Sequence, residues 1–210
     1  MDVHFCPQCT KILSLGRHGD YFAYLGLPRK LIVDSAELEQ RFRALSRQFH
    51  PDYFYNATPA ERRASLERSS YLNDAYRVLR QPIARIDYLL QLEGFAPKGP
   101  EEAARQVPPS LLEEVFALNE ELDEIRALRA AGAPADQWKT RLERARGPIE
   151  AKRAAHEADL EALSARWDAA VDAGAPDAER HGVLEQLRER LLERNYINNL
   201  LAGIEKELNA

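Results

Sequence analysis

Apolar residues recur at helical spacing almost from end to end of this chain. Leu38, Phe42, Leu45 and Phe49 stand four, three and four apart, one stripe on a helix. At about 100° per residue, Arg43 and Arg47 lie nearly opposite that stripe. Asp34-Ser35-x-Glu37 has the pattern of an N-cap at the mouth of this helix. His50-Pro51-Asp52 stops it, because proline disfavours helical backbone in the residue before it. Upstream, Asp20 to Pro28 predicts a short aromatic helix closed by Gly26 and Pro28. Downstream, Thr58 caps and Pro59 opens the next helix, with Glu61 near its positive end. On that helix Leu66, Leu72, Ala75, Tyr76 and Leu79 can face Phe42, Leu45 and Phe49. After Pro82, Ile83 to Leu90 continue as a further helix ending at Gly94. Residues 19–94 thus predict a module whose core is two long antiparallel helices joined by the His-Pro-Asp loop.

Residues 95–109, with Pro97, Gly99, Pro100, Pro108 and Pro109, form a linker. Beyond it, Ala131-Gly132-Ala133-Pro134 recurs as Ala173-Gly174-Ala175-Pro176, each placing Gly just past one helix and Pro at the opening of the next. These turns divide residues 110–210 into helices near 110–131, 135–172 and 177–208, a three-helix bundle. Gly147-Pro148 should kink or break the middle one. In the first, Leu111, Val115, Leu118, Leu122 and Ile125 form a sufficient packing seam. Leu112 and Phe116 lie roughly 100° and 140° off it. Tyr196 similarly flanks the row Ile197, Leu201, Ile204 and Leu208. Aromatics outside the seam, rimmed by Glu113 and Glu120, mark either a partner surface or a place where the bundle packs on the first module. Trp138 and Trp167 are most simply bundle core, and His156 and His181 fall on polar helical faces.

Composition agrees with an all-α fold: 45% of the 210 residues are hydrophobic and 30% charged, with only 10 Gly. A net charge of −5 provides no global basic field for nucleic acid. No apolar run has the length of a membrane span, and Met1 to Cys6 lacks the basic start and apolar stretch of a signal peptide; a cytoplasmic location is expected.

Residues 1–18 carry Cys6-Pro7-Gln8-Cys9, with His4 and His18 nearby. Two thiolates at this spacing can share one tetrahedral zinc, which needs four ligands. A second Cys pair is missing, so histidines or another subunit would complete the set. Redox chemistry and an unliganded tail are the alternatives. A thiol- or metal-dependent enzyme is the least supported possibility, since no acid/base constellation accompanies the thiols.

The segment Arg41 to Tyr53 resembles the J domain of DnaJ-type co-chaperones, whose His-Pro-Asp loop and basic second helix engage DnaK-type ATPases. More specifically, residues 20–210 resemble HscB, the J-domain co-chaperone of iron–sulfur cluster assembly. The matching stretches are Tyr21-Phe22 with Leu25-Gly26-Leu27-Pro28, Arg41-Phe42 through Phe54, Pro82-Ile83-Ala84-Arg85-Ile86-Asp87-Tyr88-Leu89-Leu90, and Leu112-Glu113-Glu114 to Ile125. The Gly/Phe-rich linker and β-rich substrate domains of a general DnaJ are absent. The resemblance implies that His50, Pro51, Asp52, Arg41, Arg43 and Arg47 stimulate ATP hydrolysis by an HscA/DnaK-type chaperone. It implies too that Leu112, Glu113, Phe116, Ala117, Glu120 and Tyr196 hold an IscU-type scaffold, with no catalytic residue in this chain. Glu113 stands where the family often has a hydrophobe, Ala117 where it often has an acid, and Tyr53 where a Lys is common. Cys6 and Cys9 look like half of the two-pair zinc segment of some relatives. The alternative is an adaptor for a general DnaK-type chaperone with a different client.

Overall fold

The computed structural model describes residues 4–6, 8–9, 11–13, 19–96 and 109–209. Most of the expected linker (residues 97–108) and His18 lie outside them. The described residues form seven α-helices and two short 3-10 turns, with no strand beyond one isolated bridge between Phe5 and Ile12. The fold is all-α. Two compact units are present: residues 1–94 with 167–175, and residues 95–166 with 176–210.

In the first unit, α1 (Tyr21–Tyr24) is capped by Asp20. Helix α2 (Ser35–Phe49) starts where the Asp34 carboxylate accepts the Ala36 and Glu37 N–H groups. Helix α3 (Pro59–Leu79) opens with a reciprocal capping box between Thr58 and Glu61, and α4 (Pro82–Leu92) begins at proline. Local chemistry sets these boundaries, because an uncapped helix start leaves N–H groups unsatisfied.

The α2 stripe turns inward as its spacing predicts. Leu38 and Phe49 are buried, and Phe42 stacks on Tyr76 with ring centroids 4.2 Å apart. Leu72, Ala75 and Leu79 of α3 meet them in one core with Phe22, Tyr24 and Leu25 of the α1 region. Leu66 does not join it: the side chain is 58% exposed, because Ala64, Ser65 and Arg68 occupy the buried face of that turn. Trp167 is buried in this unit, not in the bundle, and its indole N–H donates to the Arg29 carbonyl. The adjacent Asp168 carboxylate accepts the Leu31 and Ile32 N–H groups, while burial pushes its pKa upward.

The second unit contains α5 (Leu112–Ala130), most of α6 (Ala135–Asp172) and α7 (Asp177–Leu208). Both Ala-Gly-Ala-Pro turns work as helix stops. Gly132 and Gly174 have φ of 77° and 60°, in the left-handed region that glycine tolerates best. Ala133 N–H donates to Leu128 O, and Ala175 N–H to Ala170 O, the six-to-one bond of a Schellman cap. Helix α6 runs unbroken through Gly147-Pro148 over 38 residues, contrary to a break there. Pro148 removes only the bond to the Arg144 carbonyl, while Leu142 on one side and Ile149 on the other are anchored in the core. That core holds the expected seam residues Leu111, Val115, Leu118 and Ile125 with Trp138, Ile197 and Ile204. His156 is buried, unlike a solvent-facing histidine, beside Glu193 of α7.

Candidate functional site: a proline-braced loop and an uncovered helix face

At the end of α2 the backbone turns at His50 (φ −58°, ψ 126°) into a 3-10 turn over Pro51–Phe54. Pro51 fixes its own φ and needs no N–H partner at this first position. Tyr53 N–H donates to His50 O at 3.0 Å, and the Asp52 N–H points at His50 Nδ1 at 3.4 Å. The Asp52 carboxylate lies 3.5 Å from that nitrogen, and its side chain is 85% exposed. Tyr53 and Tyr55 on the same turn also face outward. The loop therefore offers a carboxylate, an imidazole and two phenols on a short, closed scaffold.

Its base is rigid. Phe49, directly before His50, is fully buried, and its carbonyl accepts hydroxyl bonds from Ser65 at 2.7 Å and Ser69 at 2.8 Å. Arg68 of α3 places its guanidinium 5.6 Å from the Phe49 ring centre and donates to Leu13 O and to His4 Nδ1, each at 2.7 Å. Nothing in the helical pattern of α3 marks this buried arginine; only its partners from the amino-terminal segment explain it.

The three arginines of α2 differ in role. Arg41 spends its guanidinium inside the unit, donating to Leu25 O and Gly26 O and pairing with Glu37. It clamps the end of α1 and is not a free cation. Arg43 pairs with Glu39 on the exposed face. Arg47 is exposed and has no ion-pair partner among the described residues. Together with Ala36, Glu39 and Gln40, Arg43 and Arg47 line a shallow groove along the exposed face of α2.

In the second unit Leu112, Glu113, Phe116, Ala117 and Glu120 are all exposed on one side of α5. Phe116 is 68% exposed. Tyr196 differs: it is half-buried and packs on the bundle core. Ala117 opens onto a groove of about 520 Å³ between α5 and α6, lined by Glu121, Arg141, Arg144 and Pro148. Arg141 is committed to Glu121 and Glu124, which leaves Arg144 as that groove's available cation among the described residues.

The amino-terminal thiols sit on a small hairpin in which Cys6 N–H donates to Lys11 O and Leu13 N–H to His4 O. Neither cysteine is in a disulfide, and Cys9 is the more exposed. The Gln8 and Cys9 N–H groups, then the Cys9 thiol, hold the Cys6 thiol below its ordinary range. Among the described residues, the donors beside Cys6 and Cys9 do not complete a four-ligand zinc set. His4 is buried edge-on against Tyr24 and Phe49 with Nδ1 on Arg68. Among the described residues no group of three or more His, Cys, Asp or Glu could hold a metal ion.

The described residues thus comprise a helical hairpin whose joining loop is acidic and braced by proline, and a helical bundle that leaves an aromatic face uncovered. No family model matches the chain. Among solved structures it is similar to the human co-chaperone protein HscB, with a TM-score of 0.66 and 26% identity over 99% of this chain and 91% of that one. Chaperone HscB from Vibrio cholerae gives a TM-score of 0.58 and 25% identity over 91% of this chain and 98% of that one. The chain has an HscB-like fold. No helix among the described residues is long and apolar enough to cross a membrane.

Proposed function

We propose that this protein is a co-chaperone of iron–sulfur cluster assembly. Its first unit stimulates ATP hydrolysis by an HscA/DnaK-type chaperone, and its second binds an IscU-type scaffold and brings it to that chaperone. The observation that carries this reading is the Asp52 carboxylate, held outward by Pro51 at the end of a basic helix face in a chain with an HscB-like fold.

The chain supplies no catalytic group to the ATPase. It biases the chaperone's conformational equilibrium, and it can do so only through contacts that differ between the chaperone's states. Asp52 offers a charge that a basic group on the chaperone can take in one of those states. Arg47 and Arg43 would meet an acidic surface and speed encounter in a salt-dependent way. Leu112, Glu113, Phe116, Ala117 and Glu120, edged by Tyr196, would hold the scaffold. Tethering it in this way raises its effective concentration beside the chaperone.

Steady-state ATPase assays with the purified chaperone test the reading. His50→Gln and Asp52→Asn should abolish stimulation while leaving helicity and scaffold binding intact. Stimulation equal to wild type in both variants would refute it. Stimulation of a general DnaK-type chaperone with no affinity for the scaffold would favour the adaptor alternative.

A further inference from the structure

The amino-terminal hairpin is left without a task by the two-partner reading, yet it is built onto the base of the acidic loop. Phe5 pairs with Ile12 across a bridge, and Ile12 is buried in the first unit's core. The Phe5 ring lies 6.0 Å from that of Phe49, and the His4 ring 5.0 Å from it. Arg68 holds both ends of the hairpin, through His4 and through the Leu13 carbonyl. Cys6 directly follows Phe5, and Cys9 stands three residues on, between the same bridge partners. Two neighbouring thiols, reachable from solvent and lacking a third metal donor among the described residues, thus sit a few side chains from Phe49. His50 begins one residue later.

We propose that Cys6 and Cys9 are a reversible dithiol–disulfide pair whose state is passed through Phe5 and Phe49 to the His50-Pro51-Asp52 loop. The oxidant is a low-molecular-weight disulfide of the glutathione class. The Cys6 thiolate attacks one of its sulfurs, forming a mixed disulfide and releasing one thiolate. Cys9, losing its proton to solvent, then attacks the Cys6 sulfur and releases the second. Two electrons pass from the cysteines to the oxidant, which leaves as two thiols. The order follows from the Gln8 and Cys9 N–H groups, which favour a thiolate at Cys6. Closing the pair tightens the turn between the bridge partners, so the change reaches Phe5 before any other core residue.

The test uses the full chain, treated with chelator and equilibrated across a series of glutathione to glutathione-disulfide ratios, then acid-quenched for intact mass. Wild type should lose two hydrogens, carry no adduct, and recover fully in excess thiol. Cys9→Ser should retain one glutathione on Cys6, while Cys6→Ser stays unmodified at the ratios where Cys9→Ser is saturated. Stable adducts on wild type, a pair that stays reduced throughout, or equal adduct formation by the two variants would overturn the pair. The link to the loop is read by two-dimensional NMR. Oxidation should move the Asp52 amide signal in wild type and leave it in place in Cys6→Ser. An Asp52 signal unmoved while those of Cys6 and Cys9 shift would overturn the link. Neither readout depends on the chaperone or the scaffold, so failure here leaves the co-chaperone reading standing.

Discussion

Truncating Phe116 separates a binding surface from a packing role more cleanly than any other substitution in the second unit. The ring is 68% exposed. A phenylalanine buries roughly 150–250 Å² when fully covered, so about 140 Å² of it stands open to a partner. At about 25 cal/mol per Å², covering that area contributes about 3 kcal/mol, less the share that alanine would retain. Phe116→Ala should therefore weaken scaffold binding by about 2–3 kcal/mol, roughly thirty- to more than a hundredfold. The fold should scarcely notice, since substitutions at exposed positions fall within about ±0.5 kcal/mol. Ile125→Ala is the internal control: Ile125 lies on the same helix, fully buried, and its truncation should cost about 2–5 kcal/mol of stability. Calorimetric titration with the purified scaffold measures the first quantity, and urea denaturation the second. A stability loss in Phe116→Ala approaching that of Ile125→Ala would place the ring in the core. Unchanged affinity would remove α5 as the scaffold surface.

The arginines of α2 should divide by role. Arg41→Gln should lower stability by about 1 kcal/mol by losing its bonds to Leu25 O and Gly26 O, whereas Arg47→Gln should leave the denaturation midpoint unchanged and slow chaperone association most at low salt; equal midpoints would overturn the distinction. On α3, Leu66→Ser should be near neutral and Leu72→Ala should cost about 2–5 kcal/mol in the same assay, the reverse order showing that Leu66 is core after all. Burial beside Arg190 and Lys152 holds the His156 pKa below its ordinary value, against the pull of Glu193 and Asp159. As pH falls through the unfolded value near 6.5 toward the lower folded one, the unfolded chain binds a proton that the folded chain resists, so stability present above that window is lost within it. Urea titrations at several pH values should give a slope of up to about 1.4 kcal/mol per pH unit that flattens in His156→Gln; an unchanged slope would assign it to other groups.

Helix ends were legible because their causes are local. Asp34, the Thr58–Glu61 pair and the two Ala-Gly-Ala-Pro turns each act within a few residues of where they stand, and the boundaries fall where those residues predict. Buried faces were legible where the stripe was long, as in Leu38 to Phe49 and Leu111 to Ile125. They failed where a partner from far along the chain decided the matter. Arg68 displaces Leu66 from the buried face of α3 because Leu13, His4 and Phe49 provide its partners. His156 looks solvent-facing among its polar neighbours until Glu193 of α7 is placed 3.3 Å from it. Trp167 satisfies a helical pattern equally well in either unit, and only the Arg29 carbonyl settles which. The exposed loop was the easiest part of the site, since proline dictates local backbone whatever surrounds it. The division of labour among Arg41, Arg43 and Arg47 was not, since it depends on which carbonyls and carboxylates lie within reach.

An exposed loop that must act on a partner has a physical difficulty: side chains free enough to be touched are seldom held in one place. Here the two demands fall on different residues. His50, Asp52 and Tyr53 make almost no contact with the core, while Phe49, one position earlier, is gripped from several sides. Two serine hydroxyls from α3 hold its carbonyl, and His4, Phe5, Tyr24 and Arg68 surround its ring. Pro51 then carries that fixed position outward with few freely rotating backbone bonds between core and carboxylate. The orientation of Asp52 is therefore inherited largely from Phe49 and α3, since its own contacts among the described residues reach only His50 and Tyr55 within the loop. It follows that the loop's presentation can be altered without touching any residue a partner would contact, through Ser65, Ser69, Arg68 or the hairpin bearing Cys6 and Cys9.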